Sequence, residues 1–388
     1  MTKSEKRFYI ITFGIMMLIG FYLSIYQSII SEISGMFGTG GALTGILIAL
    51  YFTGAFLSPI VCGELGDRIG KKPVLLAGFV VLTTGVIIVA LSKHILVTCA
   101  GVFLMGGGGC TIEGLLSAKI TDENPHAAER FMNYSQVFFC LGAVLGPMIR
   151  LAVKSLGGQW QMNMYIIAVL LIIAGCIFLT IPNDKKKPIE KAASSKAYSL
   201  TLLKDVRFLL FFVSMFLYVG AEAGLAFFVV DYFGEAQAAS YGEISLSLFW
   251  AGMIAGRLVA GVLYRYSGKL MVIYLAIALL FSLMLQLNSP PVASVVMIFM
   301  TGLGFSAVWP LLMANCTRAY SNTSGTAGGL MVAGGSFGGI LMPMIMGFLA
   351  AGGSVKNAII VVSVMMLITL IINLHMWRKK QPDNATTQ

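Results

Sequence analysis

The sequence predicts an all-α membrane protein in which twelve transmembrane helices form two pseudo-symmetric six-helix bundles. Hydrophobic residues make up 58% of the 388 residues and charged residues only 11%, whereas a soluble domain carries about 25% charged residues. A soluble fold of this length could not bury so much apolar surface, because a globule still needs a polar exterior. The composition therefore excludes a soluble enzyme, a disordered chain and a nucleic-acid-binding protein.

Apolar runs of the length that a bilayer requires follow one another along the whole chain. A transmembrane helix needs about 20 mostly apolar residues, and short polar breaks separate the runs. The predicted spans are, in order, 8–31, 42–62, 73–92, 95–119, 131–153, 161–181, 206–233, 241–264, 269–288, 292–316, 325–351 and 355–377.

The longest polar stretch, residues 182–205, separates six predicted spans from six. We therefore expect an N-terminal six-helix bundle over 1–181, a cytoplasmic linker over 182–205 and a C-terminal six-helix bundle over 206–388. With the N-terminus in the cytoplasm, 21 of the 26 Lys and Arg residues, Lys119 included, fall in cytoplasmic segments. Because basic segments stay on the cytoplasmic side, we expect a multi-pass protein of the cytoplasmic membrane with both termini inside.

The two halves repeat each other at a nearly constant offset. Gly54 corresponds to Gly252 at an offset of 198, and Gly106 corresponds to Gly302 at an offset of 196. The pairs Gly63 and Gly261, and Pro147 and Pro343, keep the same register. Parallel repeats of this kind are typical of transporters that hold their substrate between the halves and rock around it. The alternative is an ancient duplication whose two halves pack together without any transport function.

A ten-residue segment follows predicted span two and begins at Gly63. The segment Gly63-Glu64-Leu65-Gly66-Asp67-Arg68-Ile69-Gly70-Lys71-Lys72 resembles the loop motif of the major facilitator superfamily. The second-half copy, which starts at Gly261, is degraded and has no Asp. Asp67 could cap a helix N-terminus or pair with an Arg and so hold one conformation closed. We therefore predict gating roles for the motif residues Gly63, Asp67, Arg68 and Gly70.

Shorter stretches resemble one branch of that superfamily, the fucose–galactose–glucose:proton symporters. They are Asn133-x-x-Gln136 with Gly142, Gly146 and Pro147; Gly106 to Gly109 followed by Glu113; Tyr218-Val219-Gly220-x-Glu222; and Gly304-x-Ser306-x-x-x-Pro310. The resemblance implies the major facilitator fold and proton-coupled sugar transport. One departure leaves proton coupling and sugar selectivity open. Predicted span one has no acidic residue before Glu32, whereas the family usually carries one there.

Charged side chains inside spans are costly and usually functional or paired. Glu113 shares a helix face with Gly106 and Gly109, so it is a candidate for proton coupling; the alternative is a latch to a basic loop residue. Glu222 is the second coupling candidate, with a structural hydrogen-bonded carboxylate as the alternative. We assign Arg257 to an intracellular gate in preference to a substrate contact, whereas Arg150 and Asp231 are expected at the solvated outer interface.

Substrate-binding candidates are polar or aromatic residues within the spans. An amide can both donate to and accept from neighbouring sugar hydroxyls, and an aromatic face can stack on the C–H side of a sugar. The candidates are Gln136, Asn133, Gln27, Tyr22, Tyr26, Tyr218, Trp309 and Asn315.

The leading functional hypothesis is a secondary active transporter that takes up a small polar solute, most simply a sugar, by alternating access. The main rival is proton-driven efflux of drugs or amphipathic metabolites, and a third class is a membrane sensor that carries no flux. The expected partners are the small-molecule substrate, the lipid bilayer and a proton as the candidate coupling ion. We expect a monomer that has no enzymatic activity and binds no cofactor, metal or nucleic acid. The six cysteines are expected to be small buried residues rather than metal ligands.

Overall fold

The computed structural model describes residues 3–38, 40–123, 128–181, 202–236, 238–262, 267–287, 289–320 and 324–380. The chain divides into two compact units, Met1–Lys191 and Ala192–Gln388, which are called the N-terminal and C-terminal units below. Most of the predicted linker, residues 182–201, lies outside the described residues.

Helices form each unit over the described residues. In the N-terminal unit they are α1 (Lys3–Gly35), α2 (Gly40–Ile69), α3 (Lys71–Leu91), α4 (Ile95–Glu123), α5 (Ala128–Ser155) and α6 (Trp160–Leu179). In the C-terminal unit they are α7 (Val206–Glu235), α8 (Gly242–Val262), α9 (Ser267–Met284), α10 (Pro291–Phe305), α11 (Val308–Ala319), α12 (Ser324–Gly352) and α13 (Val355–Lys380), with a 3₁₀ turn at Ala239–Tyr241.

The predicted all-α membrane fold is confirmed. Within the described residues, 11 segments are long and apolar enough to cross a bilayer, and a shorter apolar helix, Gly268–Met284, adds to them. Predicted span ten (292–316) is confirmed as the segment Pro291–Ala319, but its helix is interrupted. It breaks at Ser306 and Ala307 into α10 and α11, and these two residues are called the span-ten break below.

Glycines permit close contacts between helices, and they do so in the same way in both units. A methyl group on Gly54 of α2 would lie 2.8 Å from the backbone nitrogen of Gly107 in α4. The equivalent methyl on Gly252 of α8 would lie 2.9 Å from the nitrogen of Leu303 in α10. Both helix pairs therefore pack backbone against backbone where a side chain has no room. The register found in the sequence corresponds to a repeated packing contact.

The same repetition holds at the next helix pairs. A methyl group on Gly108 would lie 2.7 Å from the Cα of Leu82, and one on Gly304 would lie 2.8 Å from the Cα of Ala278. Where α1 meets α5, a methyl on Gly142 would lie 2.7 Å from the Met17 carbonyl carbon. Each unit is thus a copy of one packing scheme rather than a merely similar run of apolar helices.

Two basic residues turn into the N-terminal unit. Arg150 was expected at a solvated interface, and this expectation is wrong: it is only 2% exposed and pairs with Glu32 across α1 and α5. Lys119, at the end of predicted span four, is 7% exposed within α4, and its ammonium lies 5.9 Å above the Phe8 ring centroid. Both charges are buried because long basic side chains can turn inward when a carboxylate or an aromatic ring receives them.

Two smaller expectations also need correction. The segment Gly63–Lys72, expected as a loop between two spans, is helical as far as Ile69. Only Gly70 lies between α2 and α3, and its φ of 98° favours glycine. Of the six cysteines, only Cys140 and Cys316 are buried, and Cys176 is exposed on α6. An exposed cysteine on an apolar helix is compatible with a lipid-facing surface.

Candidate functional site

Tyrosine hydroxyls meet inside the N-terminal unit, where α1, α2 and α4 come together. The hydroxyls of Tyr22 and Tyr51 lie 2.8 Å apart, and Tyr22 also donates a hydrogen bond of 3.1 Å to the carbonyl of Met105. The Tyr26 ring, one turn after Tyr22, lies 5.5 Å from the Tyr51 ring between centroids. Tyr22 and Tyr26 are fully buried, and Tyr51 is 8% exposed.

The direction of these hydrogen bonds follows from the number of hydrogens. Tyr22 has one hydroxyl hydrogen, and the Met105 carbonyl, which can only accept, takes it. Tyr51 must therefore be the donor in its bond to Tyr22. Sequence reasoning missed Tyr51, although a signal existed: its counterpart in the second half is Phe249, so the two halves differ there by one hydroxyl group.

Gly109 and Glu113 complete this cluster from α4. A methyl group on Gly109 would lie 2.6 Å from the Tyr22 hydroxyl oxygen, so only glycine lets that hydroxyl reach the α4 backbone. One turn later, the half-buried Glu113 lies close enough to Tyr51 and Cys110 to act on both electrostatically. The arrangement places an ionisable carboxyl beside a chain of hydroxyl groups, inside a span.

A second polar cluster surrounds the span-ten break in the C-terminal unit. Pro310 has no N–H, so it cannot donate the helical hydrogen bond that the carbonyl of Ser306 would otherwise accept. The α10 helix ends at Phe305, and the Ser306 hydroxyl turns back to the carbonyl of Leu303 at 2.7 Å. The chain starts again as α11 at Val308, which places Pro310 in the first turn of a helix, where its missing N–H is tolerated.

Side chains from neighbouring helices hold the carbonyls at the break. The Tyr218 hydroxyl of α7 donates to the Phe305 carbonyl at 3.1 Å, and Arg257 Nε of α8 donates to the Ser306 carbonyl at 3.3 Å. Gly256 permits this approach, since a methyl group there would lie 2.8 Å from the Ser306 Cβ. The Tyr274 hydroxyl of α9 fixes the same part of α8 by donating to the Gly256 carbonyl at 2.6 Å.

Glu222 joins this second cluster from α7. Its carboxyl lies one helical turn after Tyr218, where it interacts with the Tyr218 hydroxyl, and it lies within electrostatic range of the Arg257 guanidinium. In the repeat, Glu222 corresponds to Tyr26, and Glu113 corresponds to Trp309. Each unit therefore carries one ionisable carboxyl among hydroxyl groups, at a position where the other unit has an aromatic residue.

The structure divides the predicted substrate-binding residues into two groups. Gln136 and Asn315 are half-buried and Trp309 is 40% exposed, so these side chains are open to contact. The buried group, at most 3% exposed, consists of Gln27, Tyr22, Tyr26 and Tyr218. For Asn133, Gly63, Asp67 and Arg68 only the helical backbone is described, so their predicted side-chain roles lie outside the described part.

Charged residues also secure helix ends within each unit. Lys72, the last residue of the motif, donates from Nζ to the carbonyls of Leu179 at 2.9 Å and Ile181 at 2.6 Å. These carbonyls lie at the end of α6, where the helix dipole favours a cation. The motif therefore supports the packing of α6 within its own unit.

Asp205 secures the start of α7. Its carboxylate accepts a hydrogen bond of 2.8 Å from the Arg207 backbone N–H and one of 2.6 Å from the Tyr320 hydroxyl. The Tyr320 hydrogen bond, helped by the backbone N–H groups, holds the pKa of Asp205 below its ordinary value. Desolvation, together with the bond to Asp205, raises the pKa of Tyr320.

Among the described residues, no three His, Cys, Asp or Glu side chains come together as a possible metal site. The ionisable groups of the two clusters instead lie among hydroxyls, carbonyls and a guanidinium.

The chain consists of two units of apolar helices, and each unit has a carboxyl among hydroxyl groups inside a span. This is the architecture of a polytopic membrane transporter. The family model of the Major Facilitator Superfamily matches residues 9–332, with a second match over 211–388. The chain belongs to the Major Facilitator Superfamily, and the membership predicted from the motif at Gly63–Lys72 is confirmed.

Individual relatives and solved structures are consistent with membership of this superfamily. The glucose/mannose transporter GlcP of Bacillus subtilis is 22% identical over 349 residues, which cover 87% of this chain and 86% of that protein. The crystal structure of a point mutant of the nucleoside transporter NupG has a TM-score of 0.81 at 15% identity, over 96% of this chain and 100% of that one. The crystal structure of a point mutant of the E. coli fucose:proton symporter FucP has a TM-score of 0.67 at 16% identity, over 95% and 98%. These structures share the major facilitator fold.

Proposed function

We propose that this protein is a secondary active transporter that moves a sugar of the hexose class through the membrane, with a proton as the coupled ion. The observation that carries the proposal is the hydroxyl cluster of the N-terminal unit. There Glu113, half-buried, lies beside a tyrosine pair whose hydrogen bonds run in one direction. Similarity to a glucose/mannose transporter over 87% of the chain supports the substrate class.

The predicted substrate-binding residues of each unit have the chemistry that a neutral polyhydroxylated solute needs. A sugar has no charge, so it must be recognised by groups that both donate and accept hydrogen bonds. In the N-terminal unit Gln136 offers an amide. In the C-terminal unit Asn315 offers an amide and Trp309 offers an apolar ring face with 40% exposure. The buried tyrosines do not contact the solute in this proposal, and instead hold the Glu113 carboxyl and the α4 backbone in place.

A proton can be coupled to the sugar through Glu113. Protonated, the carboxyl can donate a hydrogen bond to a sugar hydroxyl and carries no charge; ionised, it only accepts and interacts more favourably with water. Binding of a neutral solute against this carboxyl would therefore favour the protonated form. Glu222 is proposed as the second proton site, in the C-terminal unit.

The orientation and the gate belong to the same proposal. The excess of Lys and Arg in alternate connections favours a cytoplasmic position for both termini. The motif residues Asp67 and Arg68 would then lie at the cytoplasmic end of α2, where they hold one conformation closed. Lys72 supports this region by its bonds to the end of α6.

Transport by the purified full-length protein in proteoliposomes tests the proposal. Two readouts are needed: accumulation of radiolabelled glucose, mannose or galactose driven by a pH gradient, and exchange of the same sugar at equal pH on both sides. We expect Glu113→Gln to abolish gradient-driven accumulation and to retain exchange, because the amide can still hydrogen-bond but cannot titrate. Glu235→Gln, at the exposed end of α7, is the matched control and should retain both activities, because the amide oxygen can still accept the hydrogen bond that Glu235 receives from the Val355 N–H.

The outcomes separate the alternatives. Movement of a cationic dye without movement of any sugar would favour the efflux hypothesis. Absence of flux for every solute in protein that is folded and monodisperse would favour the sensor hypothesis. Normal gradient-driven accumulation by Glu113→Gln would remove Glu113 from proton coupling.

A further inference from the structure

The span-ten break depends on hydrogen bonds from two other helices. The Phe305 and Ser306 carbonyls accept from Tyr218 and Arg257 respectively. In a membrane interior no bulk water can replace a lost donor, and an unsatisfied carbonyl is costly there. The position of α11 relative to α10 therefore depends on whether Tyr218 and Arg257 stay where they are.

Glu222 competes for both donors. Tyr218 has a single hydroxyl hydrogen and lies against two groups, the Phe305 carbonyl and the Glu222 carboxyl. While its hydrogen points to Phe305, Tyr218 can bond to Glu222 only by accepting a hydrogen from it, and Glu222 has one to give only when its carboxyl is protonated. An ionised Glu222 only accepts, so it would take the Tyr218 hydrogen for itself.

The Arg257 guanidinium responds to ionisation of Glu222 in the same way as the Tyr218 hydroxyl. Arg257 lies within electrostatic range of Glu222 while its Nε donates to the Ser306 carbonyl. A negative charge on Glu222 attracts the guanidinium away from a neutral carbonyl, because hydrogen bonds between two charged groups are stronger than those to a neutral acceptor. Ionisation of one carboxyl therefore weakens both hydrogen bonds that hold the break.

The other helices that pack on α7 bring few competing charges to this place. The α12 helix contains no ionisable side chain, and those of α13 are Lys356, His375 and the basic residues that end it. In α11, Arg318 lies in the last turn, and Cys316 lies near Arg207 at the start of α7, about four turns before Glu222. Tyr274 of α9 faces the Ser306 hydroxyl and the Gly256 carbonyl. Besides Arg257, α8 carries the buried Glu243; its neighbour Gly242 packs on Val230, two turns after Glu222 on α7. In the part of the C-terminal unit that the structure describes, Tyr218 and Arg257 are the ionisable groups that act on Glu222.

We propose that Glu222 is a proton-dependent switch for the span-ten break: protonated, it leaves Tyr218 and Arg257 on the Phe305 and Ser306 carbonyls, and ionised, it draws both away. Tyr218 and Arg257 are then positioning residues rather than substrate contacts. The inference rests on the proposed proton coupling and adds its mechanical output, a change in the direction of α11. Trp309 lies in the first turn of α11, two residues after the break, so its surroundings change with the switch.

Tryptophan fluorescence of the full-length protein in lipid nanodiscs tests the proposal. Emission is recorded across pH for the wild type, and a Trp309→Phe variant identifies the part that belongs to Trp309. We expect Trp309 emission to titrate in the wild type and to stay at its low-pH value in Glu222→Gln, because the amide can donate to Tyr218 but cannot ionise. Tyr218→Phe should hold emission near its high-pH value, because the Phe305 carbonyl loses its donor at every pH.

Controls keep the result interpretable. Glu235→Gln makes the same chemical change on the same helix and should leave the titration intact. Arg257→Lys should shift the titration without abolishing it, which a purely structural role of Arg257 would not do. A full wild-type titration in folded Glu222→Gln would overturn the inference.

Transport on the same preparations separates this inference from the proposed function. If Glu222→Gln loses the fluorescence titration but still accumulates sugar along a pH gradient, the switch exists and Glu222 is not a coupling site. If the titration persists while accumulation is lost, Glu222 acts in coupling without controlling the break, and the switch is refuted.

Discussion

The close approach of α2 and α4 at Gly106 yields the sharpest test of how this fold is held together. A methyl group at Gly106 would lie 2.7 Å from the Tyr51 carbonyl carbon and 3.0 Å from its Cα. Non-bonded carbon atoms prefer separations of about 3.5–4.0 Å. Gly106→Ala therefore forces the two helices apart by roughly 1 Å, because both contacting groups are backbone and cannot rotate aside.

The size of the effect can be estimated with a control on the same helix. Overpacking a well-packed interface costs about 1–3 kcal/mol, whereas Gly→Ala in a helix interior gains about 1 kcal/mol from helix propensity. Gly114, two turns later on α4, has no atom within 4 Å of where a methyl would lie. Because both variants share the propensity gain, the difference between Gly106→Ala and Gly114→Ala isolates the packing cost of about 1–3 kcal/mol.

Thermal unfolding of purified protein in detergent measures this difference. A unit of this size shifts its midpoint by about 2–4 °C per kcal/mol, so Gly106→Ala should unfold several degrees below Gly114→Ala. Gly302→Ala, the repeat counterpart, should fall between them, since its methyl would lie 3.0 Å from the Phe249 carbonyl carbon. Equal midpoints for Gly106→Ala and Gly114→Ala would refute backbone packing as the reason for the glycines.

Two further tests address the helix ends. Tyr320→Phe removes the exposed hydrogen bond to Asp205, so it should lower the free energy of unfolding at neutral pH by no more than about 1 kcal/mol. This loss should vanish as pH falls through the lowered pKa of Asp205, because the hydroxyl then no longer stabilises a charged carboxylate. A difference that stays constant down to acid pH would contradict the role of Asp205. Lys72→Met should increase hydrogen exchange in the last turn of α6, while Lys93→Met, an exposed control, should not; equal exchange in both would exclude the Lys72 bonds as a support of α6.

Much of the fold could be predicted from sequence because a bilayer imposes strong and simple constraints. Its thickness fixes span length, so the apolar runs alone predicted the helices. The glycine register predicted two repeated halves, and the structure shows a repeated close contact at Gly54 and Gly252, where only glycine permits two backbones to meet. These features are visible because they depend on composition and spacing rather than on the direction of a single side chain.

What the sequence did not reveal depends on side-chain direction. Hydropathy places Arg150 near the end of a span but does not show that it turns inward to Glu32, 118 residues away. Tyr51 was missed because one tyrosine among many apolar residues carries no pattern until it is compared with Phe249 in the other half. The break in span ten was missed because the run from 292 to 316 contains no charged residue, and Pro310 was interpreted only as part of a family motif.

The break also explains why the C-terminal unit carries an arginine inside a span. Arg257 by itself is costly in a membrane, and Pro310 by itself leaves the Ser306 carbonyl without a helical donor. Each supplies what the other lacks, because the guanidinium donates to that carbonyl. A charge and a helix break that would each destabilise the unit alone therefore become one polar structure. The switch proposed at Glu222 acts on both, because that carboxyl lies within electrostatic range of Arg257.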